Sequence, residues 1–226
     1  MNLRTSPLNA RIGFYAICAL IFACVIAFIG MKNELQYGII SHQGDFELHE
    51  KIMHKLSRKA IRVFTVDEIE KVDALIMPGG ESTTLIKFFD RLSLWETVTA
   101  RIQKGMPVFG TCAGMILLAK RITNTNQRSM GLLDIDVERN GYGRQVDSFE
   151  AKITGDLFNG KPMNGMFIRA PRIIRVGPNV EVLARFNGDP VLIRSGSILC
   201  AAFHPELAGD TRIHSLFVKM VEEKMG

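Results

Sequence analysis

Cysteine is scarce in this sequence, and its spacing excludes two classes of structure. Of Cys18, Cys24, Cys112 and Cys200, none forms a C-x-x-C pair, and only Cys112 and Cys200 lie in the main body of the chain. There is no framework here for a zinc site or for disulfides, and the main body reads as a reduced, cytosolic domain. Blocks of Lys and Arg interleaved with aromatics are also missing. The formal net charge is +5, but acidic and basic residues alternate along the chain, which argues against a nucleic-acid partner. Neither repeats nor low-complexity linkers interrupt the 226 residues, of which 47% are hydrophobic and 23% charged. These values suit a single compact α/β domain.

The first thirty residues stand apart. An uncharged apolar run covers 12–30, long enough to span a bilayer, with Arg4 and Arg11 before it. Two readings compete. The run is a membrane anchor that would place the domain outside the cytosol, a poor place for a reactive thiol. Alternatively the chain starts functionally at Met31, which is followed by an ordinary polar N-terminus. The second is favoured because 31–226 reads as a whole domain without the run.

From Tyr37 onward, strand and helix patterns alternate. Strands are expected at 37–41, 60–64, 74–77 and 108–111, and helices at 46–56, 81–89, 94–104 and after Gly114. Such alternation predicts a mostly parallel sheet covered on both faces, with its site at the carboxyl ends of the strands. Past about Gly131 the pattern turns to short strands, at 132–139, 148–153, 165–168, 180–186 and 191–194. Asn187-Gly188 and Ser195-Gly196 punctuate them as hairpin turns. A last strand at 197–203 and an amphipathic helix at 211–224 close the domain.

Three segments carry chemistry. Gly110-Thr111-Cys112-Ala113-Gly114 joins an apolar strand to an apolar helix, the cysteine form of a nucleophile elbow. The glycines permit a sharp turn and close helix–strand packing, and the following helix start favours a thiolate at Cys112. His204-Pro205-Glu206 ends the last strand. Residues two apart in extended chain face the same way, so Glu206 is placed to orient the His204 ring. Alone, such a pair fits a strand cap beside a solvated glutamate; with an elbow cysteine it completes a Cys-His-acid set. His42, His49, His54 and His214 fit surface or helix positions better. Pro78-Gly79-Gly80-Glu81-Ser82-Thr83 lets backbone N–H groups approach a substrate oxygen, although the same residues also suit a plain turn and helix cap.

Together these segments resemble the class I, triad-type glutamine amidotransferases. Within that class the likeness is closest to the glutaminase subunits of pyridoxal 5′-phosphate synthases. Six segments carry it in order: Pro78-Gly79-Gly80-Glu81-Ser82-Thr83, Val137-Glu138-Arg139-Asn140, Gly143-Arg144-Gln145, Asp147-Ser148-Phe149-Glu150, Phe167-Ile168-Arg169-Ala170-Pro171 and Phe203-His204-Pro205-Glu206-Leu207. The resemblance implies a flavodoxin-like fold that hydrolyses L-glutamine and passes ammonia to a synthase partner. It implies Cys112 as nucleophile, with His204 and Glu206 completing the relay. It also implies Gly80, Glu81, Ser82, Arg139, Ile168 and Arg169 as glutamine contacts, and backbone N–H groups of Gly80 and Ala113 as oxyanion donors. No metal or bound cofactor is required. His42 departs from the family pattern, which has an apolar residue before Gln-Gly, and with Gln43 it is expected at the partner interface. Two alternatives are a glutaminase of another pathway, such as imidazole glycerol phosphate synthesis, and a catalytically silent, membrane-tethered binding subunit. The Val-Glu-Arg-Asn and Phe-Ile-Arg-Ala-Pro segments speak against the first.

Overall fold

A computed structural model describes residues 34–143 and 148–226. The apolar run at 12–30, and Arg144 to Asp147 of the family-like segments, lie outside the described residues. Residues 35–226 form one compact unit. Among the described residues no helix is long and apolar enough to cross a membrane.

The central sheet has seven strands. Five are parallel: β1 (Tyr37–Ile40), β2 (Ala60–Val63), β3 (Ala74–Met77), β4 (Val108–Thr111) and β12 (Ile198–Ala201). β1, β3, β4 and β12 are buried at every position, as expected of short apolar strands covered on both faces. Their order is β2-β1-β3-β4-β12, the flavodoxin-like order. The chain leaves β1 toward β2, then crosses back to β3, so the order reverses between β1 and β3. Right-handed crossovers in opposite directions put helices on both faces. On one face lie α1 (Phe46–Lys55) and α6 (Arg212–Met225). On the other lie α2 (Val66–Glu70), α3 (Ser82–Arg91), α4 (Leu94–Gln103) and α5 (Ala113–Leu118).

The β-rich portion is distributed differently from the sequence expectation. β10 (Glu181–Phe186) and β11 (Asp189–Ser195) extend the main sheet as an antiparallel hairpin on β12. Their turn at Asn187 and Gly188 takes positive φ at both residues, as a tight hairpin of matching twist requires. Two small sheets complete the fold. One joins β5 (Ala119–Ile122), β6 (Leu133–Glu138) and β9 (Arg172–Val176); the other pairs β7 (Ser148–Ile153) with β8 (Met163–Ile168). Strands β5 and β9 and helix α2 have no counterpart in the sequence expectation.

Candidate active site

The four neighbouring strands β12, β4, β3 and β1 end on one edge of the sheet, and each delivers part of a single cleft. At the end of β4, Cys112 takes φ 46° and ψ −100° and its N–H donates to Ala201 O at 2.9 Å. A non-glycine residue in that region is strained, and here the strain falls on the cysteine itself. The flanking glycines act through space. A Cβ on Gly114 would stand 2.1 Å from Met77 O, and one on Gly110 would meet Gly114 C at 2.9 Å. Only bare backbone lets α5 start this close to β3 and β4. The Cys112 side chain is almost fully buried, with Sγ 3.8 Å from Ile168 O.

His204 follows β12, and its backbone N–H donates to Met166 O of β8 at 2.8 Å, so the second small sheet pins it. Its Nδ1 lies 2.8 Å from Glu206 Oε1. Pro205 to Ala208 forms a 3-10 turn rather than extended chain, yet the two side chains still meet. Burial alone would lower the His204 pKa. Hydrogen bonding to the Cys112 side chain and then to Glu206 outweighs it and raises the value to about 10. Glu206 is drawn the other way. Burial favours its neutral form, but His49 and His204 hold the carboxyl well below the usual range. A protonated imidazole beside an ionised Glu206 is the state these directions favour.

The remaining walls come from three segments. Beyond β3, Gly80 takes φ +122°, and Gln43 Nε2 donates to Glu81 O at 2.6 Å, tying the loop after β1 to the Gly79–Gly80 turn. A Cβ on Gly79 would touch the His204 ring, so this turn lies directly over the imidazole. Glu81 caps α3 by accepting from Thr83 N–H. It also accepts from Arg139 Nη2 at 2.9 Å and Arg169 Nη1 at 3.2 Å. Burial opposes its ionisation, and the Thr83 hydrogen bonds and the two guanidiniums together lower its pKa. Arg169 has φ 41°, a second strained residue at the cleft.

The cleft holds about 550 Å³ of free space including its open mouth. It is lined by Cys112 and His204 and by the expected contacts Gly80, Glu81, Ser82, Arg139, Ile168 and Arg169. Ser82 is nearly buried and its Oγ donates to Gln127 Oε1 at 3.2 Å. Ala113 is buried at the first position of α5, immediately behind the thiol. Glu206 stands behind His204, away from the cleft. His42 is half-buried and stacks on Phe88 with ring centroids 4.1 Å apart.

Several residues were missed from sequence. Gly44, Asp45, Ile116 and Asn140 also line the cleft. Polar atoms of Asp45, His204 and Glu206 lie within 4.8 Å of one another, so a second carboxylate faces the imidazole. His49 and His214, read as surface or helix positions, are fully buried behind Glu206. Helical phase was the available signal. His49 falls on one stripe with Ile52 and Met53, and His214 with Phe217, Val218 and Val221.

A flavodoxin-like sheet with a strained cysteine elbow at its centre and a histidine on the adjacent strand defines a class I glutamine amidotransferase domain. A solved structure described as a crystal structure of glutamine amidotransferase superposes with a TM-score of 0.77 at 42% identity, over 82% of this chain and 98% of the other. The chain belongs to the SNO glutamine amidotransferase family, which matches residues 39–223. Two similar relatives are both named pyridoxal 5′-phosphate synthase subunit PdxT. That of Fervidobacterium nodosum is 49% identical over 186 residues, covering 82% of this chain and 97% of the relative. That of Thermotoga maritima is 47% identical over 188 residues, covering 83% of this chain and all of the relative.

Proposed function

We propose that this chain is the glutaminase subunit of a pyridoxal 5′-phosphate synthase. It hydrolyses L-glutamine to L-glutamate and ammonia, and the ammonia passes to the synthase subunit that builds pyridoxal 5′-phosphate. The observation that supports the reading is that Cys112 and His204 line one cleft at the strand ends of a glutamine amidotransferase fold, with Glu206 2.8 Å from His204 Nδ1.

In this mechanism the Cys112 thiolate attacks the side-chain amide carbon of glutamine. The resulting oxyanion is met by the N–H groups of Gly80 and Ala113. The His204 imidazolium gives its proton to the amide nitrogen as the C–N bond breaks and ammonia leaves. A γ-glutamyl thioester remains on Cys112. His204, now neutral, takes a proton from water as the water attacks the thioester, and glutamate departs with the thiolate restored. Glu206 orients the ring and stabilises its charge throughout. Arg139 and Arg169 receive the substrate α-carboxylate and Glu81 its α-ammonium, so the ion pairs among these three side chains open to admit the zwitterion. The chemistry calls for no metal or cofactor.

Hydrolysis answers to the partner through Gly79–Gly80. Gly80 tolerates either sign of φ, so a peptide flip there moves an oxyanion donor in or out at little steric cost. Gln43 grips this segment at Glu81 O, and a synthase subunit pressing on His42 and Gln43 would bias the flip. One missing donor costs about a hundred- to a thousandfold in rate. The working domain is residues 31–226, in the cytosol, where the thiol stays reduced.

The test measures glutamine hydrolysis with and without the synthase subunit, for the parent, Cys112→Ala and Gln43→Ala. The parent is expected to be active chiefly with its partner, Cys112→Ala inactive, and Gln43→Ala poorly stimulated. An active Cys112→Ala chain would remove the proposed nucleophile. Equal parent activity with and without partner would remove the coupling.

A further inference from the structure

Behind Glu206 the fold buries two histidines that the mechanism above leaves unused. His49 comes from α1 and His214 from α6, and neither ring touches solvent. Glu206 Oε1 is bound to His204, whereas Oε2 has no hydrogen-bond partner among the described residues and faces His49 Nε2 at 3.4 Å. On its other side, His49 Nδ1 lies 2.9 Å from His214 Nε2. Thr111 Oγ1 is 3.5 Å from His49 Nε2, and the Phe109 ring packs edge-on against both imidazoles. Among the described residues His214 Nδ1 has no partner.

These contacts select one arrangement of protons. A lone pair on His49 Nε2 would repel the carboxylate, so Nε2 carries the hydrogen. With a neutral ring, His49 Nδ1 then accepts, and His214 Nε2 donates to it. This leaves His214 Nδ1 as a bare lone pair rather than an orphaned N–H, the less demanding of the two states inside a protein. Burial lowers the His214 pKa to about 3, so that ring stays neutral. The other charged groups facing this cluster are Asp45 and His204 on the cleft side, and Asp210 beside His214.

We propose that His49 is a positioning residue for glutamine hydrolysis, its tautomer fixed by His214 and its Nε2–H holding the free oxygen of Glu206 so that the carboxylate stays ionised and aimed at His204. The proposal rests on the glutaminase reading above. A buried carboxylate bound through one oxygen only is free to rotate or to take up a proton, and either event leaves His204 without its orienting charge. A hydrogen bond from His49 is among the interactions that oppose the effect of burial on Glu206. Helix α1 thereby serves the site from behind while the loop before it serves the cleft.

Two substitutions in the full chain, assayed with its synthase subunit at saturating glutamine, separate positioning from packing. His49→Phe keeps the ring volume and removes the donor, whereas His49→Gln keeps an N–H near the Nε2 position. His49→Phe is expected to lower kcat about ten- to a hundredfold, the usual effect of losing an outer hydrogen-bonding partner of a reactive group. KM should stay within twofold. The acid limb of the kcat profile should move to higher pH, because removing His49 raises the Glu206 pKa. His49→Gln should recover most of kcat. A folded His49→Phe chain with parental kcat and an unmoved acid limb overturns the proposal, as do equal losses in both variants with an unmoved limb. If His49→Phe does not fold, His214→Phe leaves His49 in place and removes the ring that fixes its tautomer. The same upward shift of the acid limb is then expected, and its absence is equally fatal. A parent chain inactive with its partner refutes the glutaminase reading instead. In that case the pH profile of Cys112 alkylation by iodoacetamide, followed on the Cys112 peptide, still decides: it shifts in His49→Phe if the proposal holds and matches the parent if it does not.

Discussion

Gly79 offers the sharpest perturbation of the proposed proton carrier, because one methyl group added to this turn presses directly on the imidazole ring. A Cβ built on Gly79 would stand 2.2 Å from His204 Cε1 and 2.9 Å from its Nδ1. Ordinary carbon contacts lie at about 3.5–4.0 Å, so Gly79→Ala forces ring and turn apart by more than about 1 Å. The imidazole cannot yield freely, since Glu206 holds Nδ1 at 2.8 Å and the residue is only 4% exposed. Gly79 itself is not among the residues with positive φ, so alanine suits its backbone and the cost is confined to the contact. A displacement of about 1 Å at a catalytic group costs on the order of a hundredfold in rate, and overpacking costs about 1–3 kcal/mol in stability. The expected result is a fall in kcat/KM of about a hundredfold with a folded, modestly destabilised chain. The assay is glutamate release with the synthase subunit present, beside a thermal melt. Alkylation of Cys112 separates a displaced ring from a disturbed oxyanion turn, because only the ring affects thiolate reactivity. Activity within threefold of the parent, with an unchanged melt and unchanged alkylation, would refute the placement of His204 as proton carrier.

Four further outcomes follow from the same geometry. Cys112→Gly and Cys112→Ala should both be inactive, but the glycine chain should be the more stable, by about 1–3 kcal/mol in denaturant midpoints, because it relieves a strained φ of 46°. An electrophile such as iodoacetamide should label Cys112 and spare Cys200, whose thiol burial pushes far above its usual pKa; peptide mass analysis reads the site. His214 binds a proton at about pH 3 when folded and 6.5 when unfolded, so below pH 6.5 the unfolded state holds more protons and stability falls with pH. His214→Phe should therefore flatten the loss measured between pH 6.5 and 5.5, a window in which Glu206 stays largely ionised in both states, by about 1 kcal/mol. A chain begun at Met31 should fold and hydrolyse glutamine with its partner as the full chain does; loss of the first strand or of activity, read by hydrogen exchange and turnover, would give 12–30 a part in the working protein.

The strands of the central sheet were legible because each is a short apolar run bounded by turn residues. Ala74–Met77 ends on Pro78-Gly79-Gly80, and Val108–Thr111 begins after Pro107. Three elements were not legible, each for a local reason. Val66–Glu70 is too short for a helical period to develop, although Thr65 and Glu68 form a capping box that marked its start. Ala119–Ile122 follows Leu118 with no break, so its apolar ends read as a continuing helix. Arg172–Val176 buries one of its five residues, and its strand character comes from pairing with Leu133–Glu138 rather than from its own pattern.

The site divides along a different line. Cys112 and the His204–Glu206 pair were legible because their chemistry is written in consecutive residues, where turn geometry and spacing suffice. His49 was not, because its partner is 157 positions away and no local pattern names it. What α1 did disclose is direction: a histidine in the same helical stripe as Ile52 and Met53 points into the core, and so does His214 among Phe217, Val218 and Val221. Two inward histidines on helices that cover the same face of a parallel sheet must either find polar partners or be displaced by apolar residues. In this fold they find each other at 2.9 Å, and one of them reaches the only carboxylate buried behind the cleft among the described residues. The physical demand was therefore readable in advance even though its resolution was not. A buried histidine on an apolar helix face signals a polar neighbour, and in a domain whose proposed reaction needs a buried, oriented glutamate, Glu206 is the neighbour that meets that demand.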